Sequence, residues 1–269
     1  MTTGHVYRGR LAPSPTGYLH LGHAQTFLMA QKRAQERNGT LLLRVEDLDR
    51  TRCKPEYTAA MLEDLRWCGL RWDGEAIFQS RRSYAAARDL LLERGFIYPC
   101  VCSRKDVLTA ARAPHEGDEE PVYPGTCRGR RWEGEACNWR FRVPDGEEIS
   151  FEDERLGWHR ATAGRDFGDF LVWRKDGLPA YELAVVVDDV AMEVSEVVRG
   201  EDLVRSTFRQ LLVYRALGLQ PPRFFHAPLV RDDSGRRLAK RDGAFTLREM
   251  RLAGLPPPRL EADKRLAGE

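Results

Sequence analysis

The stretch Arg10-Leu-Ala-Pro-Ser-Pro-Thr-Gly-Tyr-Leu-His20-Leu-Gly22-His23 constrains the fold more than any other part of the chain. A short apolar run is cut by two prolines and a glycine, and a helical pattern then opens on two histidines. The order is strand, tight loop, helix N-terminus. A helix start presents unpaired backbone N–H groups and the positive end of the macrodipole, so it attracts anions. Gly22 has no Cβ and lets a flat ligand approach the backbone. This pattern points to a nucleotide handled at its phosphates.

Downstream periodicity extends the pattern. Residues 6–12 read as a buried strand. Ala24, Phe27, Leu28, Ala30 and Ala34 share one face of a helix running from Gly22 to about Arg37, stopped by Asn38-Gly39. Thr40 to Asp47 is a second strand. Strand–helix–strand at this length opens a parallel, Rossmann-like sheet. Helices are expected near 55–68 and 82–94. Around Gly95 the text turns irregular, and 96–180 reads as an insertion with antiparallel or mixed pieces such as Asn138-Trp-Arg-Phe-Arg-Val. Leu183 to Asp189 reads as a continuous apolar strand covered on both faces. A helix over Arg205–Leu217 and a buried strand over Phe224–Val230 follow.

The expected class is therefore α/β: a Rossmann-like parallel-sheet catalytic domain with an inserted zinc-bearing subdomain. Its segments are 1–95 and 181–255 for the two halves of the catalytic domain, 96–180 for the insertion, and 256–269 for a mobile tail. No apolar run approaches the roughly 20 residues of a membrane span. The N-terminus lacks the apolar core of a secretory signal, so a cytoplasmic protein is expected. A net charge of +2 is too small to establish a nucleic-acid partner, although the prevalence of arginine suits phosphate contact.

Three constellations carry chemistry. His20 and His23, near a helix start, can neutralise charge developing on a triphosphate. Far downstream, Gly235-Arg-Arg237-Leu-Ala-Lys240-Arg241-Asp-Gly243 is a basic loop whose lysine can close over phosphates as a point charge. Cys100-Val-Cys102 and Cys127 put three thiols on two short hooks, which suits tetrahedral zinc stabilising an insertion. The fourth ligand stays open on the residues alone, with Cys137 and His115 as alternatives to Tyr123. Cys53 and Cys68 read as ordinary structural residues. Asp188 and Asp189 end the apolar strand and read as a turn or a contact with a neighbouring arginine rather than a metal pair.

His20-Leu-Gly-His23 and Arg237-Leu-Ala-Lys240-Arg241 resemble the two signature motifs of class I aminoacyl-tRNA synthetases, known as HIGH and KMSKS. The flanking Arg10-Leu-Ala-Pro-Ser-Pro-Thr-Gly, Arg44-Val-Glu46-Asp47, Tyr181-Glu-Leu-Ala and Val198-Arg199-Gly-Glu-Asp are similar to the glutamyl branch. The second motif departs from its consensus: Arg237 replaces the first lysine and Arg241 the last serine, while Lys240 keeps the second lysine. After Arg241 only 28 residues remain, too few for an anticodon-reading domain, so the chain is expected to resemble the short paralogues of glutamyl-tRNA synthetase.

That resemblance implies ATP-dependent activation of L-glutamate to glutamyl-adenylate and its transfer to queuosine in the anticodon loop of tRNA(Asp). The rival expectations are a truncated glutamyl-tRNA synthetase charging a tRNA 3′ end and a non-catalytic tRNA-binding paralogue. Glutamate carries two carboxylates and one ammonium, so its site needs cationic forks and an anion. Arg10 and Arg199 supply the first and Glu46 the second, and Tyr181 can donate a hydroxyl. By resemblance the glutamate positions are Arg10, Leu11, Ala12, Pro13, Ser14, Glu46, Tyr181 and Arg199. The ATP positions are His20, Gly22, His23, Arg237 and Lys240, with His20, His23 and Lys240 catalytic. The resemblance also makes Tyr123 the fourth zinc ligand beside Cys100, Cys102 and Cys127. Magnesium is expected to arrive with ATP, and a monomer is expected.

Overall fold

A computed structural model describes residues 6–103, 106, 122–131, 134, 136–230 and 245–260. Arg237, Lys240, Arg241, His115 and residues 261–269 lie outside them. The chain divides into two compact units: residues 1–82, 193–204 and 222–269 form the first, and 83–192 with 205–221 the second.

The first unit is built on parallel strands. β1 (Arg8–Leu11) pairs with β2 (Thr40–Val45), and β2 with β3 (Ile77–Phe78). β9 (Glu196–Gly200) pairs in parallel with β10 (Arg223–Ala227), which puts Arg199 beside His226. β9 starts against β1, where Ser195 N donates to Arg8 O at 2.9 Å and Arg8 N donates to Ser195 Oγ at 2.8 Å. Parallel strands joined through helices are the arrangement of doubly wound folds, whose ligands bind beyond the carboxyl ends of the strands.

Between β1 and β2 runs α1 (Leu21–Glu36), which buries Ala24, Phe27, Met29, Ala30 and Ala34 against the core. Its C-terminal stop divides the labour between two residues. Asn38 takes the left-handed conformation (φ 49°), which asparagine tolerates. Gly39 is required for another reason: a Cβ there would lie 2.5 Å from Tyr7. α2 (Pro55–Trp67) starts on a proline, whose missing N–H costs a helix nothing in its first turn.

The same unit buries the carboxylate of Glu196 completely. Glu196 on β9 accepts from Tyr7 Oη at 2.9 Å and from Arg33 Nε and Nη2, both at 2.7 Å. Arg37 Nη2 stands 3.7 Å away. Burial raises this carboxyl, but the Arg33 hydrogen bonds and charge outweigh it and hold Glu196 below its ordinary value. Burial and the adjacent Glu196 charge push the Tyr7 phenol up.

The second unit is largely antiparallel. β4 (Ile97–Cys100), β5 (Asn138–Phe141) and β8 (Phe170–Trp173) form one sheet in the order β4-β5-β8. β6 (Glu148–Asp153) and β7 (Gly157–Thr162) form a hairpin. Along β6 burial alternates strictly, with Ile149, Phe151 and Asp153 inside, as a half-buried strand requires. Its helices are α3 (Ala85–Glu93), α4 (Tyr181–Ala191) and α5 (Val204–Leu217), the last starting at the unit boundary. In the first unit α6 (Leu247–Leu252) completes the described helices.

α4 corrects the strand expected over Leu183–Asp189. Leu183, Ala184, Val185 and Val186 are buried, and so are Glu182, Asp188 and Asp189. A helix enclosed on nearly every side has no polar stripe, so its text is a continuous apolar run that mimics a buried strand. Asp188 and Asp189 are therefore helix residues and end no strand. Asp188 accepts a hydrogen bond from Tyr84 Oη at 3.0 Å.

Candidate active site

In the first unit, charged groups gather where β1, β2 and β9 end and α1 begins. Arg10 on β1 is buried, and its Nη1 donates to Val198 O of β9 at 2.8 Å. One residue further along β9, Arg199 is also buried; its Nε donates to His226 Nε2 at 3.2 Å, and its guanidinium lies 5.6 Å from the Phe224 ring centroid. This places Arg199 inside the protein. The His226 contact was not anticipated; the available signal was a histidine interrupting the apolar run Phe224-Phe-His-Ala.

The loop that follows β1 is tied to the end of β2. Glu46 N donates to Pro13 O at 3.0 Å, and Ser14 Oγ donates to Glu46 Oε2 at 3.3 Å. The wholly buried Arg44 donates through Nη2 to Glu46 Oε1 at 3.0 Å. Glu46 is thus a fixed carboxylate beside Ser14. Leu11 and Pro13 are buried and Ala12 is half-buried. Tyr181 belongs to the second unit, where it opens α4 and is 40% exposed.

His20 is the N-cap residue of α1, and its extended backbone (φ −125°, ψ 174°) leads into the first turn. His20 N donates to His23 Nδ1 at 3.2 Å. An accepting Nδ1 puts the neutral ring's proton on Nε2, so His23 keeps an N–H donor on its far side. The two imidazole centroids are 3.7 Å apart. A Cβ on Gly22 would lie 3.1 Å from His20 Cε1, so the missing side chain makes room for that ring as well as for any approaching ligand. The chain returns to this point from far downstream. His20 and Thr246 form an antiparallel bridge, and Leu247 N donates to Leu19 O at 2.8 Å. Thr246 also caps α6 in a reciprocal box with Glu249, and Arg251 Nε ties that helix to Asp64 of α2 at 3.0 Å.

The second unit carries a separate cluster. The thiols of Cys100, Cys102 and Cys127 lie within 4.8 Å of one another, a group that could hold a metal ion. The Tyr123 hydroxyl is 3.5 Å from Cys100 Sγ and 3.4 Å from Cys102 Sγ, and Cys102 Sγ is 3.6 Å from Cys127 Sγ. A tetrahedral zinc with ordinary bond lengths separates two sulfurs by about 3.8 Å and a sulfur from an oxygen by about 3.5 Å. The chemistry and spacing of these donors fit that ion. Burial works against the Cys127 thiolate, but hydrogen bonds from Tyr123 Oη, the Val101 N–H and the neighbouring thiols bring it down to about 7. Burial leads the causes that push Cys102 up to about 11 and the Tyr123 phenol upward. Cys137 is buried but lies outside the group of converging thiols.

A parallel sheet with an anion-attracting helix start and cationic side chains at its strand ends defines a nucleotide-handling α/β catalytic domain. Residues 7–262 match the family model described as tRNA synthetases class I (E and Q), catalytic domain. The chain belongs to that family and is an ATP-dependent ligase of the class I synthetase type. It is 47% identical over 269 residues to the glutamyl-Q tRNA(Asp) synthetase of Nitratidesulfovibrio vulgaris, covering 93% of this chain and 83% of that one. It is 44% identical over 266 residues to the protein of the same name from Rhodobacter capsulatus, covering 92% and 96%. Among solved structures, a glutamate tRNA ligase from Elizabethkingia meningosepticum in complex with its amino acid is similar, with TM-score 0.77 and 29% identity. The match covers 89% of this chain but 53% of that ligase, so this chain spans about half of its length. No helix among the described residues is long and apolar enough to cross a membrane.

Proposed function

We propose that this chain activates L-glutamate with ATP and transfers it to queuosine in the anticodon loop of tRNA(Asp). The observation that carries the first step is the gathering of Arg10, Arg199 and Glu46 at the carboxyl ends of parallel strands. Two buried guanidinium groups and one fixed carboxylate match an amino acid with two carboxylates and an ammonium. Leu11, Ala12, Pro13 and Ser14 belong to the loop at this strand end, and Tyr181 is the further position that the resemblance assigns to glutamate.

The glutamate α-carboxylate oxygen attacks the α-phosphorus of ATP in line, a new P–O bond forms, and pyrophosphate departs with the electrons of the broken bond. His20 and His23 donate to the phosphates at the start of α1, with Gly22 between them. Lys240, assisted by Arg237, meets the charge that grows on pyrophosphate. Magnesium accompanies ATP. A hydroxyl of the modified base then attacks the mixed anhydride, and AMP leaves. In the second unit Cys100, Cys102, Cys127 and Tyr123 hold one zinc, which cross-links two hooks as a structural tie. The names of the Nitratidesulfovibrio and Rhodobacter relatives support the acceptor. We further propose that the protein acts in the cytoplasm as a monomer.

Glutamate-dependent ATP–pyrophosphate exchange with and without tRNA tests activation: exchange without tRNA is expected, exchange only with tRNA would favour a truncated glutamyl-tRNA synthetase, and no exchange in either arm would leave a tRNA-binding paralogue. In that assay Arg199→Ala should raise the glutamate requirement sharply with little change for ATP; unchanged glutamate dependence would remove Arg199 from the pocket. Labelled glutamate offered to tRNA(Asp) with and without queuosine tests the acceptor. Equal labelling of both, or labelling of a tRNA 3′ end, would reject it.

A further inference from the structure

Arg140 lies on β5 opposite Tyr98 of β4, on the ladder face that also carries Cys100. Its side chain is buried, at 9% exposure. Nε donates to Cys100 Sγ at 3.2 Å, Nη1 donates to Asp169 O at 3.0 Å, and Cζ stands 4.0 Å from the centroid of the Tyr123 ring. The Asp169 carboxylate is engaged elsewhere, accepting from Arg128, from Tyr98 Oη and from Val143 N. The Arg140 charge therefore faces a sulfur and an aromatic ring.

A guanidinium does not lose its proton inside a protein. Burying one against neutral thiols and a neutral phenol leaves its charge unmatched, which is strongly unfavourable. A divalent metal changes the balance, because its ligands must be deprotonated. Three thiolates and a phenolate around a dication carry a net charge of −2, and a cation over the ring and beside one sulfur offsets half of it. Arg128, next to Cys127, does not take this place, since its guanidinium is paired with Asp169 and Asp145.

We propose that Arg140 is the counter-ion of the metal centre: by donating to Cys100 and covering Tyr123 it stabilises the anionic ligand set, and metal affinity depends on its charge. This rests on the metal site proposed above. Outer partners of metal ligands typically govern affinity by ten- to a hundred-fold.

The test is zinc content of the purified full chain, with apparent zinc affinity by competition against a chromophoric chelator. Wild type should hold one zinc, R140M should bind it about 10- to 100-fold more weakly, and R140K should lose less than R140M. R142M, whose guanidinium stands 5.1 Å from the Tyr98 ring, should match wild type. In a Y123F background, where the ligand set is one charge less negative, the R140M penalty should shrink. R140Q replaces R140M if circular dichroism shows that R140M does not fold. Wild-type affinity in R140M, or an equal penalty with and without the Tyr123 hydroxyl, would overturn the role of Arg140 and leave the metal site standing. A wild-type chain that binds no zinc would overturn both.

Discussion

Glu196 in the first unit and the thiol cluster in the second show two ways of burying groups that ionise. Around Glu196 the chain supplies both signs: Arg33 and Arg37 face the carboxylate, and Tyr7 donates to it. That network is complete as it stands. Around Cys100, Cys102 and Cys127 the donors are all of the kind that become negative, and Arg140 is the guanidinium set against them. The difference separates a structural ion pair from a site built for a cation: one meets its buried anion with cations of its own, and the other gathers groups that become anions when a cation arrives.

The largest expected effect breaks the incomplete cluster. Cys127→Ser should abolish stoichiometric zinc and destabilise the protein by on the order of 5 kcal/mol or more, read as zinc content and thermal unfolding of the same sample. A C127S chain with full zinc and an unchanged transition would put the two clusters in one category. Next, Glu196→Gln removes the anion that Arg33 and Arg37 share. Breaking a buried pair on one side should cost roughly 3 kcal/mol in urea unfolding, and added metal should not restore it. Tyr7→Phe removes a single donor while both arginines remain, so a loss of about 1–2 kcal/mol is expected from the same titration.

The smallest effect is in pH. Because Glu196 is held below its ordinary value of 4.5 in the fold, its contribution is fully present above that value. It is lost as pH falls through the lowered folded value. Urea midpoints taken from pH 6 downward should therefore fall less steeply in E196Q than in wild type. Parallel slopes would show that other carboxylates govern acid unfolding.

Much of the first unit was legible because its signals are local. The proline-broken strand, the histidine pair and Asn38-Gly39 each act within a few residues, and β1, α1 and β2 fall where the periodicity put them. What escaped depends on surroundings. The text of Leu183–Asp189 satisfies a buried strand and an enclosed helix equally well, and only packing on all sides decides for α4. His226 reaches Arg199 through the register of two strands joined by a long crossover, which no spacing in the text reveals. Three cysteines suggested a metal from their hooks, whereas Arg140 looked like any other arginine until β5 set it across from β4.

Leu19-His20 meets Thr246-Leu247 through the main chain, at the point where α1 begins. Two stretches separated by more than two hundred positions are joined there by main-chain hydrogen bonds, and the buried side chains of Leu19 and Leu247 belong to the same core. The seam holds the first turn of α6 against the entrance to α1, so polar exchanges at exposed positions of either helix leave the imidazole pair in place.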